Sequence, residues 1–345
     1  MQRLSVFFFF ILCIAGVIGT VQVQAGKLLD EEAFEHTSAV EQAPFLDPLL
    51  EQMTIEQKIG QMFMVGFWGK QIPAHIDQLI TDHSLGGVIL LGYNIGSESE
   101  VSELITDLQV RSHAAAPGLP LFISIDQEGG TVVRIRGGSV TEFTAQPEIT
   151  TTQVAYTVGK QRGSELSSLE ITVNNAPVLD CLDDQASFLY DRVFHADCRT
   201  AGELGAAMVQ GYQEAGLLAA VKHFPGHCNG GENSHDALSE CTLTKAEFRE
   251  HIRSFEIALR NQPAMVMSAH VRVPVLDPDR PASLSPDVLQ DVLRGYLGYN
   301  GMIITDDMEM QALMANYSVE EAAVQAVLAG NDMLLYVSTA DRQDE

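Results

Sequence analysis

Short apolar runs recur along the chain, separated by longer stretches in which apolar and polar residues follow helical spacing. The runs are GQMFMVGF (60–67), GGVILLG (86–92), LFISID (121–126), ITVNNAPVLD (171–180), LLAAVKHF (217–224), AMVMSAH (264–270), GMIITDD (301–307) and DMLLYV (332–337). Between them the spacing predicts helices over 103–115, 202–216, 245–261, 285–298 and 318–330, with Ser285 and Ser318 as N-caps. Eight strands joined by helical crossovers fit a single-domain α/β fold, a (β/α)8 TIM-type barrel, better than an open doubly wound sheet. Only STADRQDE follows the eighth run, too little for a closing helix. Either that helix is absent, or a helix over TIEQKIGQM with Thr54 and Gln57 in capping-box positions covers the gap, or the chain is a truncated copy.

Polar chemistry gathers at one end of these runs. Asp126, Asp180, Lys222 with His223, His270, and Asp306 with Asp307 all stand at C-terminal ends. In a barrel those ends ring one mouth, where active sites are built.

The N-terminal MQRLSVFFFFILCIAGVIGTVQVQA predicts a signal peptide over 1–25, cleaved near Gly26, since its apolar run is short for an uncleaved anchor. A polar leader over 26–45 then precedes a domain over 46–345. The expected product is exported, periplasmic or secreted, with no stable membrane insertion after cleavage, and monomeric. Its cysteines, Cys181, Cys198, Cys228 and Cys241, allow three connectivities; the short-loop pairs Cys181–Cys198 and Cys228–Cys241 are preferred, with free thiols as the alternative. A formal net charge of −26 opposes binding to nucleic acid or to an anionic membrane.

Three stretches carry chemistry. In IITDDMEM the adjacent Asp306 and Asp307 cannot point the same way, so one can face the mouth, where a carboxylate suits a nucleophile, a metal ligand or a cap for a following helix. In ISIDQEGGTVVRIRGG, Asp126 ends a strand and Arg134 with Arg136 follow, a carboxylate and guanidinium set suited to sugar hydroxyls. In KHFPGHCNGGENSHDAL, Lys222 and His223 end a strand and a loop follows. A zinc set of His223, His227, Cys228 and His235 has spacing H-x3-H-C-x6-H, which matches no standard pattern, so no metal is expected.

Together, DQEGG, KHFPGH, the later Ser234-His235, PASLS (281–285) and GMIITDD resemble the bacterial β-N-acetylglucosaminidase branch of glycoside hydrolase family 3, over roughly residues 50–337. The resemblance implies a retaining exo-enzyme without a cofactor that removes terminal β-linked N-acetylhexosamine from chitin- or peptidoglycan-derived oligosaccharides. It implies Asp306 as nucleophile, His235 as loop acid/base, and Asp126, Arg134, Arg192, Lys222 and His223 as sugar-binding residues. Two departures stand out. Asn233 replaces the aspartate that supports the histidine in the family's D-S-H, and Cys228-Asn229 replaces Gly-Asp. Asparagine can hydrogen-bond imidazole but cannot stabilise imidazolium by charge, so the alternative is a catalytically weakened sugar-binding pseudoenzyme of the same fold.

Overall fold

The computed structural model describes residues 46–228, 233–234 and 237–337, so the expected signal and leader and His235 lie outside the described residues. Strands run β1 (Phe63–Val65), β2 (Gly87–Leu90), β3 (Phe122–Ile125), β4 (Val173–Asn174), β5 (Leu218–Phe224), β6 (Ser239–Glu240), β7 (Met265–Ser268), β8 (Val271–Val273), β9 (Asp277–Pro281), β10 (Met302–Asp307) and β11 (Met333–Tyr336). Eight close into a parallel barrel in the order β1-β11-β10-β7-β5-β4-β3-β2, and each of the eight apolar runs supplies one. The remaining β6, β8 and β9 form a small sheet that sequence periodicity did not disclose.

Side chains alternate between two cores. Met64, Ile89, Phe122, Val173, Leu218, Ala220, Met265, Met267, Met302, Ile304, Met333 and Leu335 fill the barrel, and their neighbours in sequence pack outward beneath the helices. Methionine suits this interior because its flexible thioether fills irregular gaps. The same two-residue period sets the direction of the polar side chains toward the C-terminal ends: Asp126 continues Phe122 and Ser124, Lys222 continues Leu218 and Ala220, and Asp306 continues Met302 and Ile304. All three therefore belong to the inner set at the mouth.

Helices fall at Glu98–Ala114, Cys198–Glu214, Asp287–Tyr296 and Val319–Ala329, close to the predicted spans. The stretch predicted over 245–261 is two helices, Lys245–His251 and Arg253–Ala258, meeting at Ile252. Ser318 caps as expected and Thr54 with Gln57 forms the capping box. Ser285 does not cap through its side chain, because its hydroxyl donates to Asp277 Oδ2 at 2.7 Å instead. Both short-loop disulfides are present, Cys181–Cys198 and Cys228–Cys241.

The helices Ala74–His83 and Thr152–Ser168 lie outside the predicted spans. The second lies against Cys198–Glu214 so closely that a Cβ at Gly159 would collide with the Met208 carbonyl oxygen, and one at Gly211 with that of Tyr156. Its fully buried Arg162 donates to the carbonyl oxygens of Glu128 at 2.6 Å and Thr144 at 2.8 Å and to the Tyr212 hydroxyl at 3.2 Å, pinning the loop after β3. Arg162→Met strands these acceptors in the interior. It should cost about 3 kcal/mol, a fall of roughly 6–12 °C in melting temperature. An unchanged melting temperature would show that the loop holds without it.

Candidate active site

The strand ends and their loops enclose a cavity of about 330 Å³ at the barrel mouth, a size suited to a small ligand. Asp126, Arg134, Arg192, Lys222, His223 and Asp306, all expected from the sequence, line it together. Glu128 and His227 also line it, and neither was among the expected sugar-binding residues.

One wall is an ionic network between β3 and β5. Lys222 Nζ lies 3.2 Å from Asp126 Oδ1 and 2.6 Å from Glu128 Oε1. Arg134 Nη2 donates to Asp126 Oδ2 at 3.0 Å, and Arg192 grips Glu128 with Nε at 2.9 Å and Nη2 at 2.8 Å. Burial opposes the charge on both acids, but the cations prevail. Lys222 and Arg134 hold the Asp126 carboxyl well below the usual range, and Lys222 and Arg192 bring Glu128 down to about 2. Both remain pure acceptors at any ordinary pH. Three cations face two carboxylates here, leaving a positive surplus beside the cavity.

The second wall centres on Asp180, which is buried after β4. Its Oδ2 accepts the His223 backbone N–H at 2.9 Å and lies 2.7 Å from His223 Nδ1. Its Oδ1 accepts the His227 N–H at 2.7 Å and lies 2.9 Å from His227 Nδ1. Burial opposes ionisation, yet His223 and His227 hold Asp180 well below the usual carboxylate range. An ionised carboxylate only accepts, so both imidazoles carry their proton on Nδ1. Burial outweighs Asp180 and pushes the His223 pKa down. His227 Nε2 is buried with no hydrogen-bond partner among the described residues.

Asp180, His223 and His227 are close enough to hold a metal ion, but four N–H donors already occupy the carboxylate oxygens. The zinc set weighed from the sequence fails at Cys228, whose sulfur is bonded to Cys241. Cys241, Cys228 and His251 also cluster, with the same disulfide in the way.

Asp306 and Asp307 diverge as adjacent strand residues must. Asp306 belongs to the inner set and its Oδ1 accepts the Asp307 N–H at 2.8 Å. Burial opposes its charge, but His223, His270, that N–H and Lys222 together hold its pKa below the usual value. His270 is anchored between the Ser283 hydroxyl at 2.7 Å and the Asp307 carbonyl oxygen at 2.9 Å. Asp307 Oδ1 instead accepts the N–H groups of Glu309 and Val337, both at 3.1 Å, tying the end of β10 to that of β11. Burial, which these N–H groups only partly offset, and the neighbouring Asp306 and Glu309 raise its pKa to about 6.

Because folding raises the Asp307 pKa, its share of stability is complete below about pH 4 and is lost as pH rises through about 6. Asp307→Asn keeps an acceptor oxygen without that titration. Relative to wild type, the variant should gain roughly 2–3 kcal/mol in unfolding free energy between pH 4 and pH 7. A difference constant with pH, measured by urea unfolding, would contradict the raised pKa.

Comparison with known proteins accords with this geometry. The chain is 32% identical over 333 residues to "Beta-hexosaminidase A" of Pseudoalteromonas piscicida, a match covering 85% of this chain and 55% of that relative. It is 34% identical over 282 residues to "Beta-hexosaminidase" of Idiomarina loihiensis, covering 79% and 82%. A solved glycoside hydrolase family 3 β-N-acetylglucosaminidase from a Paenibacillus species superposes with a TM-score of 0.81 at 36% identity, over 85% of this chain and 56% of that one. The chain thus spans little more than half of two of these relatives and most of the third. Residues 54–343 match the glycosyl hydrolase family 3 N terminal domain, and the chain belongs to that family.

Proposed function

We propose that this protein is a retaining exo-β-N-acetylglucosaminidase acting on chitin- or peptidoglycan-derived oligosaccharides. The observation that carries the proposal is the Asp306 carboxylate, kept ionised on the inner face of β10 beside a cavity whose other walls present fixed donors and acceptors. In this proposal Asp126, Arg134, Lys222 and His223 hold the hydroxyl groups of the terminal sugar. Arg192 acts mainly by clamping Glu128.

The chemistry proceeds in two displacements. Asp306 attacks the anomeric carbon as the glycosidic C–O bond breaks, and His235 gives its proton to the departing oxygen. Water then attacks the same carbon, returns a proton to His235 and frees Asp306, so two inversions retain configuration. Asn233 bears on the rate of both steps. It favours a second proposal, a sugar-binding protein of weak turnover, because it cannot stabilise the imidazolium by charge. Two disulfides accord with the proposed export to an oxidising compartment.

Hydrolysis of an aryl β-N-acetylglucosaminide tests the proposal. Asp306→Ala should lower turnover by about 10³-fold or more, since covalent catalysis is lost. Added azide should restore cleavage and give an α-glycosyl azide; a variant with wild-type turnover would remove Asp306 from the mechanism. Asn233→Asp should raise kcat by about tenfold or more, within the range of general acid/base effects. An unchanged rate would mean that another group supports or replaces the loop histidine. Binding of N-acetylglucosamine with no release from the aryl substrate would favour the second proposal.

A further inference from the structure

Two aromatic side chains stand at the barrel mouth outside the cavity lining. Trp68, the chain's single tryptophan, follows β1 and is 52% exposed. It stacks on Tyr93, which follows β2, with ring centroids 4.0 Å apart and planes 22° from parallel. Stacking on Tyr93 fixes the indole, and about half of its surface stays open to solvent at the mouth.

The support beneath the pair is rigid. Buried Asn94 donates to the carbonyl oxygens of Phe67 at 2.8 Å and Gly69 at 2.7 Å, while its Oδ1 accepts the Leu91 N–H at 2.8 Å. The loops carrying the two rings are thereby locked to each other. The platform also adjoins the cavity. Leu91, two residues before Tyr93, lines it, and the Tyr93 phenol, whose pKa burial raises, lies within the electrostatic reach of Asp307 and Arg134, which line it too.

A rigid aromatic face bordering a sugar-sized cavity matches one ligand chemistry closely. The C–H faces of a pyranose ring are apolar while its hydroxyls radiate from the edge, so the ring can lie on an indole and keep its hydroxyls in water. Tryptophan and tyrosine offer that area with little side-chain entropy to lose. We propose that Trp68 and Tyr93 form the binding surface for the leaving-group sugar, the N-acetylhexosamine on the reducing side of the scissile bond. This rests on the function proposed above, since the cavity takes the terminal sugar and the platform takes the next ring.

The test compares N,N′-diacetylchitobiose with N-acetyl-β-glucosaminyl fluoride, whose leaving group has no ring. Trp68→Ala should lower the ratio of their kcat/KM values about tenfold, equivalent to about 1.4 kcal/mol, and Trp68→Phe should recover part of it. An unchanged ratio with both substrates still cleaved overturns the platform and leaves the proposed function standing. Because Trp68 is the lone tryptophan, its fluorescence provides a readout without turnover. In Asp306→Asn, diacetylchitobiose should change the emission more strongly than N-acetylglucosamine does. No change at concentrations that calorimetry shows to be saturating also overturns the platform. If neither substrate is cleaved and neither sugar binds, the proposed function fails and the platform fails with it.

Discussion

The mouth of the barrel depends on the buried Lys222 ammonium, which touches Asp126 and Glu128 at once. It joins the end of β5 to the segment after β3, and through Glu128 it fixes Arg192 from a third segment. Each charge in such a network is tolerable only because the others are present; removing one leaves an uncompensated buried ion. The positive surplus also has a chemical consequence. In a chain of formal net charge −26, a buried carboxylate needs local cations and donors to stay ionised. Asp306 and Asp307 show both outcomes one residue apart. The inner acid, near Lys222 and two imidazoles, is held below the usual range, whereas burial and like charge raise the outer acid to about 6.

That contrast was partly legible in the sequence. Eight apolar runs gave the strands, and polar residues at their C-terminal ends located the mouth, because strand direction and side-chain alternation are local properties. Adjacency alone required Asp306 and Asp307 to diverge, and periodicity along β10 now identifies the inner one. Glu128 was visible within DQEGG but carried no sign of its role, which arises from contact with Arg192, 64 positions away. Asp180 was visible as the end of an apolar run, but β4 stops at Asn174, and the grip of Asp180 on two histidines depends on a loop that brings His227 back over it.

The helix Thr152–Ser168 escaped for a different reason. Its packing relies on glycines that let helices approach and on an arginine that is buried, so its inward face lacks the apolar stripe that periodicity detects. Ser285 looked like an N-cap because serine favours that position. A stronger partner, Asp277, takes its hydroxyl in the folded chain. Trp68 is inconspicuous in the sequence, where one aromatic residue after a strand is ordinary. Its stacking on Tyr93 becomes apparent only when β1 and β2 lie side by side.

The ionisation states around the cavity also bear on where an acid/base group must come from. Asp126 and Glu128 are held ionised by cations and have no proton to donate. The Nδ1 proton of His223 is committed to Asp180, and His227 makes the same contact. Asp307, raised to about 6, also lines the cavity, but its Oδ1 is spent on the N–H groups of Glu309 and Val337 at the ends of β10 and β11. The lining is thus well supplied with groups that hold a sugar and with one anion that can attack it. Among the described residues, Asp307 is the one lining acid whose pKa is raised, and one of its oxygens is already committed to backbone N–H groups. A group that gives a proton to the leaving oxygen and then takes one from water needs a pKa near neutrality and hydrogen-bond reach of that oxygen. A free imidazole has such a pKa, which is the physical reason for proposing His235 and for testing position 233.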